Sequence, residues 1–124
     1  MDITKGNNSK IELFISFSYF IHMNDKIKEI ITEALNGYNI EKIILFGSRA
    51  RGDYNEDSDY DVLVVIKEEI EWINREDIAA LIRRKFAQMD IDVDILIRTS
   101  LYVDNTKDEI GNVISYAVEE GVEI

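Results

Sequence analysis

One segment in the middle of the chain constrains the fold more than any other. Residues 60–66 read Tyr-Asp-Val-Leu-Val-Val-Ile, and every position from Val62 onward is apolar. Successive side chains of a β-strand point to opposite faces of a sheet, so a strand that is apolar on both faces must be covered on both. This segment is therefore predicted to be a central strand of an α/β fold, with helices packed against the sheet.

The segments on either side alternate between helical and strand patterns. Apolar residues recur at helical spacing in three stretches, and shorter apolar runs lie between them. The predicted elements are a helix from Asn24 to a stop at Gly37, a strand at 42–46, the strand at 60–66, a helix at 74–89 with Trp72 packed at its start, a strand at 91–97, a helix begun by a capping box at 106–109, and an edge strand at 122–124. This order predicts one compact α/β (α+β) domain.

The composition restricts the functions open to such a domain. The chain has 124 residues, enough for one core, and its formal net charge of −11 argues against broad nucleic-acid binding because it repels phosphates. It has no cysteine, which excludes disulfides, thiolate metal sites and thiol nucleophiles, and fits a cytoplasmic protein. His22 is the only histidine and lies outside the regular pattern, so neither a Ser-His triad nor a zinc site can be built on it.

The first 22 residues do not fit this pattern. Residues 1–10 are polar and expected to fray, and the apolar run at 11–21 is too short to cross a membrane, which takes about 20 residues. Met23 stands directly before the first well-formed helix. Residues 23–124 are therefore predicted to be the working domain. Residues 1–22 are an extension that could be an added strand, a partner-contact segment, or the result of a start codon assigned too early.

A Gly-Ser turn is the first candidate binding feature. Gly47 and Ser48 follow the predicted strand at 42–46, and Gly47 lets the backbone turn tightly and approach a ligand. Ser48 can cap a short helix and offer its hydroxyl to a phosphate, and Arg49 and Arg51 can add charged contacts to a triphosphate. The turn therefore predicts a phosphate-binding site, although Gly-Ser turns are common when they stand alone.

Clustered aspartates make the signal specific. Asp59 and Asp61 lie two positions apart at the start of the central strand, so their carboxylates project from one face. Two such charges need a cation or a proton between them, and oxygen ligands without His or Cys select Mg²⁺ or Mn²⁺. A third carboxylate comes from Asp94 or Asp92 in the strand at 91–97, and we favour Asp94 because it is set more deeply in the apolar run.

The spacing of these residues resembles a known signature. Gly47-Ser48, ten residues, and then Asp59-Tyr60-Asp61 is similar to the pattern of the polymerase-β-type nucleotidyltransferases, and the wording Gly-Ser-Arg-Ala-Arg-Gly is most similar to the minimal nucleotidyltransferases (MNT). The resemblance covers roughly residues 23–124. It implies a polymerase-β-like domain with a small mixed sheet, in which Gly47 and Ser48 bind phosphate, Asp59 and Asp61 bind metal, and Asp94 is the third carboxylate.

The resemblance also implies an activity and a partner. Such an enzyme would use two Mg²⁺ ions bridged by Asp59 and Asp61 and take ATP as its substrate. MNT proteins pair with HEPN-domain ribonuclease toxins, which implies an antitoxin that transfers AMP to its toxin, in a homo- or hetero-oligomer of undetermined size. Two alternatives stay open at this point. One is a binding module that inhibits a partner by covering it, and the other is a small-molecule nucleotidyltransferase that works with a separate helical subunit.

Overall fold

The computed structural model describes the backbone of residues 3–124 and the side chains of residues 9–124. The elements are α1 (Ile3–Ala34), β1 (Ile40–Phe46), α2 (Ser48–Arg51), β2 (Tyr60–Ile66), α3 (Trp72–Ala87), β3 (Val93–Thr99), α4 (Ser100–Thr106), α5 (Val113–Glu120) and β4 (Val122–Glu123). The strands form one mixed sheet in the order β3-β2-β1-β4, in which β2 runs parallel to β3 and antiparallel to β1. The predicted α/β (α+β) class is confirmed.

The central strand is covered on both faces, as its composition predicts. β2 begins at Tyr60 and ends at Ile66, which are the predicted bounds, and it lies between β1 and β3. The even-numbered residues Val62 and Val64 pack into a core with the buried faces of α1 and α3. The odd-numbered residues Leu63 and Val65 pack into a second core with α4 and α5. The sheet is thus the middle layer of three, and the odd-numbered face carries the candidate site.

The first helix differs most from expectation. α1 is continuous from Ile3 to Ala34, so Ile3–Lys10 are helical rather than frayed, and the apolar run at 11–21 is helical rather than an added strand. Residues 1–2 lie outside the described part of the chain. The helix passes through Met23 without interruption. The regular apolar spacing that begins at Met23 therefore marks the point where α1 starts to pack on the core. Whether 1–22 and 23–124 are separate units stays a prediction.

The C-terminal region contains a helix that the sequence pattern did not indicate. The predicted capping box at 106–109 is wrong, because Thr106 ends α4 and its hydroxyl donates a 2.7 Å hydrogen bond to the Tyr102 carbonyl. The last helix starts at Val113 instead, where the Asn112 side chain accepts a 2.7 Å hydrogen bond from the Ile114 amide. At the other end of α5, a Cβ on Gly121 would overlap an Ile44 methyl group. Because glycine has no Cβ, the chain can pass close to β1 here and pair with it as β4.

Two smaller points complete the fold. The predicted packing of Trp72 is wrong: its side chain is 68% exposed at the start of α3. In the part of the chain that the structure describes, no helix is both long enough and apolar enough to cross a membrane.

Candidate active site

The predicted phosphate-binding turn lies where β1 ends. Gly47 has φ 73° and ψ −158°, a conformation open essentially to glycine alone, and a Cβ at this position would overlap the Asp61 Oδ2 atom. Gly47 is the N-cap residue of α2, and Ser48 is the first residue of the helix. The predicted capping of the helix by the Ser48 side chain is therefore wrong, because no side chain caps α2. The amides of Ser48 and Arg49 belong to that first turn, where a helix has no internal acceptor for them.

The sheet register brings two of the predicted carboxylates side by side. Asp61 in β2 is paired with Asp94 in β3, and the backbone of Phe46 in β1 is paired with Asp61 from the other side. Asp59 lies two residues before Asp61, just outside the strand. All three side chains are at the end of the sheet where β1 stops and β2 and β3 begin, next to the Gly47 turn.

The surroundings of Asp61 disfavour its negative charge. Partial burial raises the pKa of Asp61 above its ordinary value, and the nearby carboxylates of Asp94 and Asp59 raise it further. Arg51 acts in the opposite direction. A cluster that disfavours its own negative charge is one that a cation would stabilise.

Of the two candidates for the third carboxylate, Asp92 and Asp94, the surroundings of Asp61 favour Asp94. Asp92 lies before β3, and its backbone carbonyl accepts a 2.9 Å hydrogen bond from the Tyr60 amide. Both side chains are exposed, but Asp94 is the one whose charge acts on Asp61. A cavity of about 460 Å³ runs beside this cluster, and it is lined by Asp59, Arg83, Ala87, Ile91, Asp92, Val93 and Asp94.

The donor set fits a hard divalent cation. Asp59, Asp61 and Asp94 offer only oxygen ligands, which suit Mg²⁺ or Mn²⁺. Among residues 9–124, no three acidic or histidine side chains converge closely enough to form a ready-made metal cage. Mg²⁺ is commonly held by one or two carboxylates together with substrate phosphates, so an open carboxylate cluster beside a phosphate-binding turn agrees with that mode.

Arg49 holds the loop between α2 and β2. Its Nε and Nη2 donate hydrogen bonds of 3.2 and 3.1 Å to the Ser58 carbonyl. Its guanidinium lies 4.3 Å from the Tyr54 ring centre and 4.4 Å from that of Tyr60, so two rings and a carbonyl fix its position. The nucleotide-binding role predicted for Arg49 stays a prediction, and the contacts seen here show a side chain that positions the loop leading to Asp59.

The two possible roles of Arg49, positioning the loop and binding phosphate, can be distinguished by mutation. In Arg49→Lys the planar double contact with Ser58 is lost while the positive charge remains, so amide hydrogen exchange at residues 55–58 should rise about tenfold, which corresponds to roughly 1.4 kcal/mol of lost local stabilisation. Exchange measured by mass spectrometry without nucleotide checks this. Unchanged exchange with a raised KM for ATP would assign Arg49 to phosphate binding instead. Arg84→Lys, at an exposed arginine of α3 that does not line the cavity beside the carboxylates, is the matched control.

Arg51 contacts Tyr116, a residue that the sequence analysis did not identify. Its guanidinium lies 3.3 Å from the Asp53 carboxylate and donates a hydrogen bond to the Tyr116 hydroxyl. Tyr116 is on α5, and its ring meets that of Phe46 edge to face at 6.3 Å between centres. The turn, the end of β1 and α5 are thus linked around the site. Only the tertiary fold brings Tyr116 here, because 65 positions separate it from Arg51 in the sequence.

Comparisons with known proteins identify the family of this fold. The family model described as Polymerase beta, Nucleotidyltransferase matches residues 25–114, which include every predicted site residue. The chain belongs to this nucleotidyltransferase family. The segment of α1 before residue 25 lies outside the matched range.

Curated relatives of this nucleotidyltransferase are archaeal. The Methanocaldococcus jannaschii protein provisionally named protein adenylyltransferase MJ0141 is 38% identical over 80 residues, which are 64% of this chain and 78% of that protein. A second protein of that organism, provisionally named protein adenylyltransferase MJ0604, is 53% identical over 47 residues, or 35% of this chain and 47% of that one. These relatives support the resemblance to the minimal nucleotidyltransferases.

Solved structures share the fold. A Sulfolobus solfataricus protein provisionally named a nucleotidyltransferase superposes with a TM-score of 0.57 at 27% identity, over 86% of this chain and 83% of that one. A toxin-antitoxin complex with AMP-PNP contains a chain that superposes with a TM-score of 0.54 at 22% identity, over 80% and 69% of the two chains. The second likeness concerns the fold alone. The predicted polymerase-β-like domain is confirmed by the family match and by these superpositions.

Proposed function

We propose that this nucleotidyltransferase transfers AMP from ATP to a hydroxyl group on a partner protein, with Mg²⁺ held by Asp59, Asp61 and Asp94. The observation that carries the proposal is the pairing of Asp61 with Asp94 across β2 and β3, beside the Gly47 turn. Phosphate ligands and carboxylate ligands then lie at one end of the sheet. The names of the two archaeal relatives support AMP as the transferred group and a protein as its acceptor.

In the proposed reaction, the chain positions the two reactants. The acceptor oxygen forms a bond to the α-phosphorus of ATP, the bond from that phosphorus to the bridging oxygen breaks, and pyrophosphate leaves with the electron pair. The amides of Ser48 and Arg49 orient the β- and γ-phosphates, and the Asp94 carboxylate accepts the proton of the acceptor hydroxyl. When bound, Mg²⁺ supplies neutralisation of the charge that develops on the phosphates.

The accessibility of the site supports a macromolecular acceptor. Asp59 and Asp94 are exposed and Asp61 is half-buried, so the carboxylates lie at an open edge of the sheet. A hydroxyl on the surface of another protein can reach such a site without opening a lid. Positioning of the reactants supplies much of the rate, because a well-oriented pair avoids several kcal/mol of entropic cost, roughly 7–11 kcal/mol in favourable cases.

For the partner, we propose a HEPN-domain ribonuclease toxin, with this chain as its antitoxin. The resemblance of Gly47–Gly52 to the minimal nucleotidyltransferases supports this choice. So does the structural neighbour bound to AMP-PNP, which is itself part of a toxin-antitoxin complex. In this proposal, a hydroxyl of the toxin is the acceptor, and a tyrosine is the expected residue.

The experiment is AMP transfer to a HEPN-domain protein encoded beside this gene. The purified pair is incubated with ATP and Mg²⁺, and the intact mass of each protein is measured. One or more AMP units on a toxin tyrosine, with loss of ribonuclease activity, is the expected result. A tight complex without an adduct would favour inhibition by binding, and label found only in small molecules would favour the other alternative. Either outcome would overturn the protein-transfer proposal.

A further inference from the structure

The N-terminal half of α1 presents a large apolar surface to solvent. Eight large side chains between residues 11 and 21 are between 39% and 71% exposed, and they are Ile11, Leu13, Phe14, Ile15, Phe17, Tyr19, Phe20 and Ile21. A helix that is apolar around most of its circumference is normally buried. Tyr19 contacts Tyr60 of the domain, but most of this half of the helix lacks the contacts that its composition calls for.

The domain itself does not bury this surface. The side of α1 that packs on the core carries Met23, Ile27 and Ile30, all buried. Helical periodicity continues this side towards the N-terminus through Phe20, Ser16 and Leu13, whereas Phe14, Phe17 and Ile21 lie away from it. The exposed apolar residues lie mostly on the other sides of the helix. The side of α1 that carries Phe14, Phe17 and Ile21 is thus directed away from the core of this chain.

The exposed apolar area of this half of α1 is unusually large for a monomer. With large apolar side chains contributing about 150–250 Å² each when fully exposed, the eight residues expose roughly 900 Å². The largest apolar patch on a typical monomer covers about 300–600 Å². A stable protein–protein interface buries about 800 Å² on each partner. The exposed area exceeds that of an ordinary surface patch, and one partner would cover the part of it that lies on one side of the helix.

The distribution of charges along the helix fits a second copy of this chain. Phe14, Phe17 and Ile21 form a stripe at spacings of three and four residues, with Lys10 before it and Asp25 after it. If two copies of α1 cross antiparallel about a point between residues 17 and 18, Phe14 meets Ile21 of the second copy. Lys10 then meets Asp25 of the second copy, and the two-fold axis repeats this ion pair.

We infer that the N-terminal half of α1 is a homodimer interface, formed by antiparallel pairing of two copies through Phe14, Phe17 and Ile21. The interface lies outside the residues that match the nucleotidyltransferase family. It does not depend on the proposed acceptor or on any catalytic residue.

Sedimentation equilibrium of the full chain tests the inference. The wild-type protein should be a dimer at micromolar concentration, and Phe14→Glu together with Phe17→Glu should convert it to a monomer with an unchanged unfolding transition. Ile110→Glu is the matched control, because it places the same charge at an exposed apolar position outside α1 and should leave the dimer intact. A monomeric wild-type chain, or a dimer that survives both α1 changes, would overturn the inference.

Charge reversal tests the antiparallel register. Lys10→Glu and Asp25→Lys should each weaken dimerisation roughly 3- to 30-fold, because the two-fold axis doubles an exposed ion-pair effect, and the double variant should recover most of the affinity. Equal losses that add in the double variant would reject this register. Binding of α1 only to a HEPN-domain protein or only to phosphatidylcholine vesicles, with no self-association, would reject the homodimer.

Discussion

Replacement of the two proposed metal ligands, Asp59→Asn together with Asp61→Asn, is expected to lower AMP transfer by about a thousandfold or more. A bound divalent cation contributes several kcal/mol to stabilising charge on the reacting phosphates, and about 1.4 kcal/mol corresponds to a factor of ten in rate. The neutral amides are poor ligands for Mg²⁺, so most of this contribution should be lost. Release of pyrophosphate from ATP in the presence of the acceptor measures the rate.

The same variant should keep its fold, which separates a catalytic loss from a structural one. Burial and the neighbouring carboxylates raise the pKa of Asp61, so its charged form is disfavoured in the folded protein. An uncharged amide should leave the free energy of unfolding, measured in urea, equal or higher. Asp77→Asn is the matched control, since Asp77 is an exposed aspartate of α3 and should have wild-type activity. Undiminished transfer by the double variant would refute the assignment of the site.

Replacement of one glycine should damage the site through its backbone. In Gly47→Ala, the added methyl group would overlap Asp61 Oδ2, and the residue would have to hold a positive φ of 73°. We expect a loss of about 1–3 kcal/mol in the free energy of unfolding from backbone strain. A displacement of about 1 Å in Asp61 would also lower transfer by roughly a hundredfold.

Gly37→Ala provides the matched control for backbone strain. Gly37 also has a positive φ, 98°, but a Cβ there would have no neighbour within 4 Å. This variant should lose stability by about 1 kcal/mol and retain full transfer activity at a temperature where it is folded. If both alanine variants lost activity equally, then general instability would explain the loss, and the special role of Gly47 would be rejected.

Local sequence patterns were sufficient for the sheet and much of the site. β2 could be predicted to the residue because Asp59 and Asp61 mark its start, and Lys67 follows the last residue of its run of apolar positions. The edge strand after Gly121 was predicted for a similar reason, since a glycine follows a clear helical repeat. The pairing of Asp61 with Asp94 agrees with the choice of Asp94 as third carboxylate, although the bound metal itself stays a prediction.

Other features depend on contacts between distant parts of the chain. α4 follows β3 without a break, because Thr99 caps it by accepting a 3.1 Å hydrogen bond from the Tyr102 amide, whereas the sequence pattern predicted no helix before residue 106. The side chain of Arg49 turns to Ser58, Tyr54 and Tyr60, which no spacing rule predicts. Tyr116 joins the site only because α5 packs over β1.

The register of β2 against β3 has a consequence for how folding errors would appear. A slip of β3 by one residue would move Asp94 to the face covered by α1 and α3 and would expose Ile95, which is buried there. Hydrophobic packing therefore favours the same register of β2 against β3 that places Asp61 beside Asp94. A misaligned chain would lose its core and its chemistry together, so recovered enzymatic activity can serve as a direct count of correctly paired molecules after refolding.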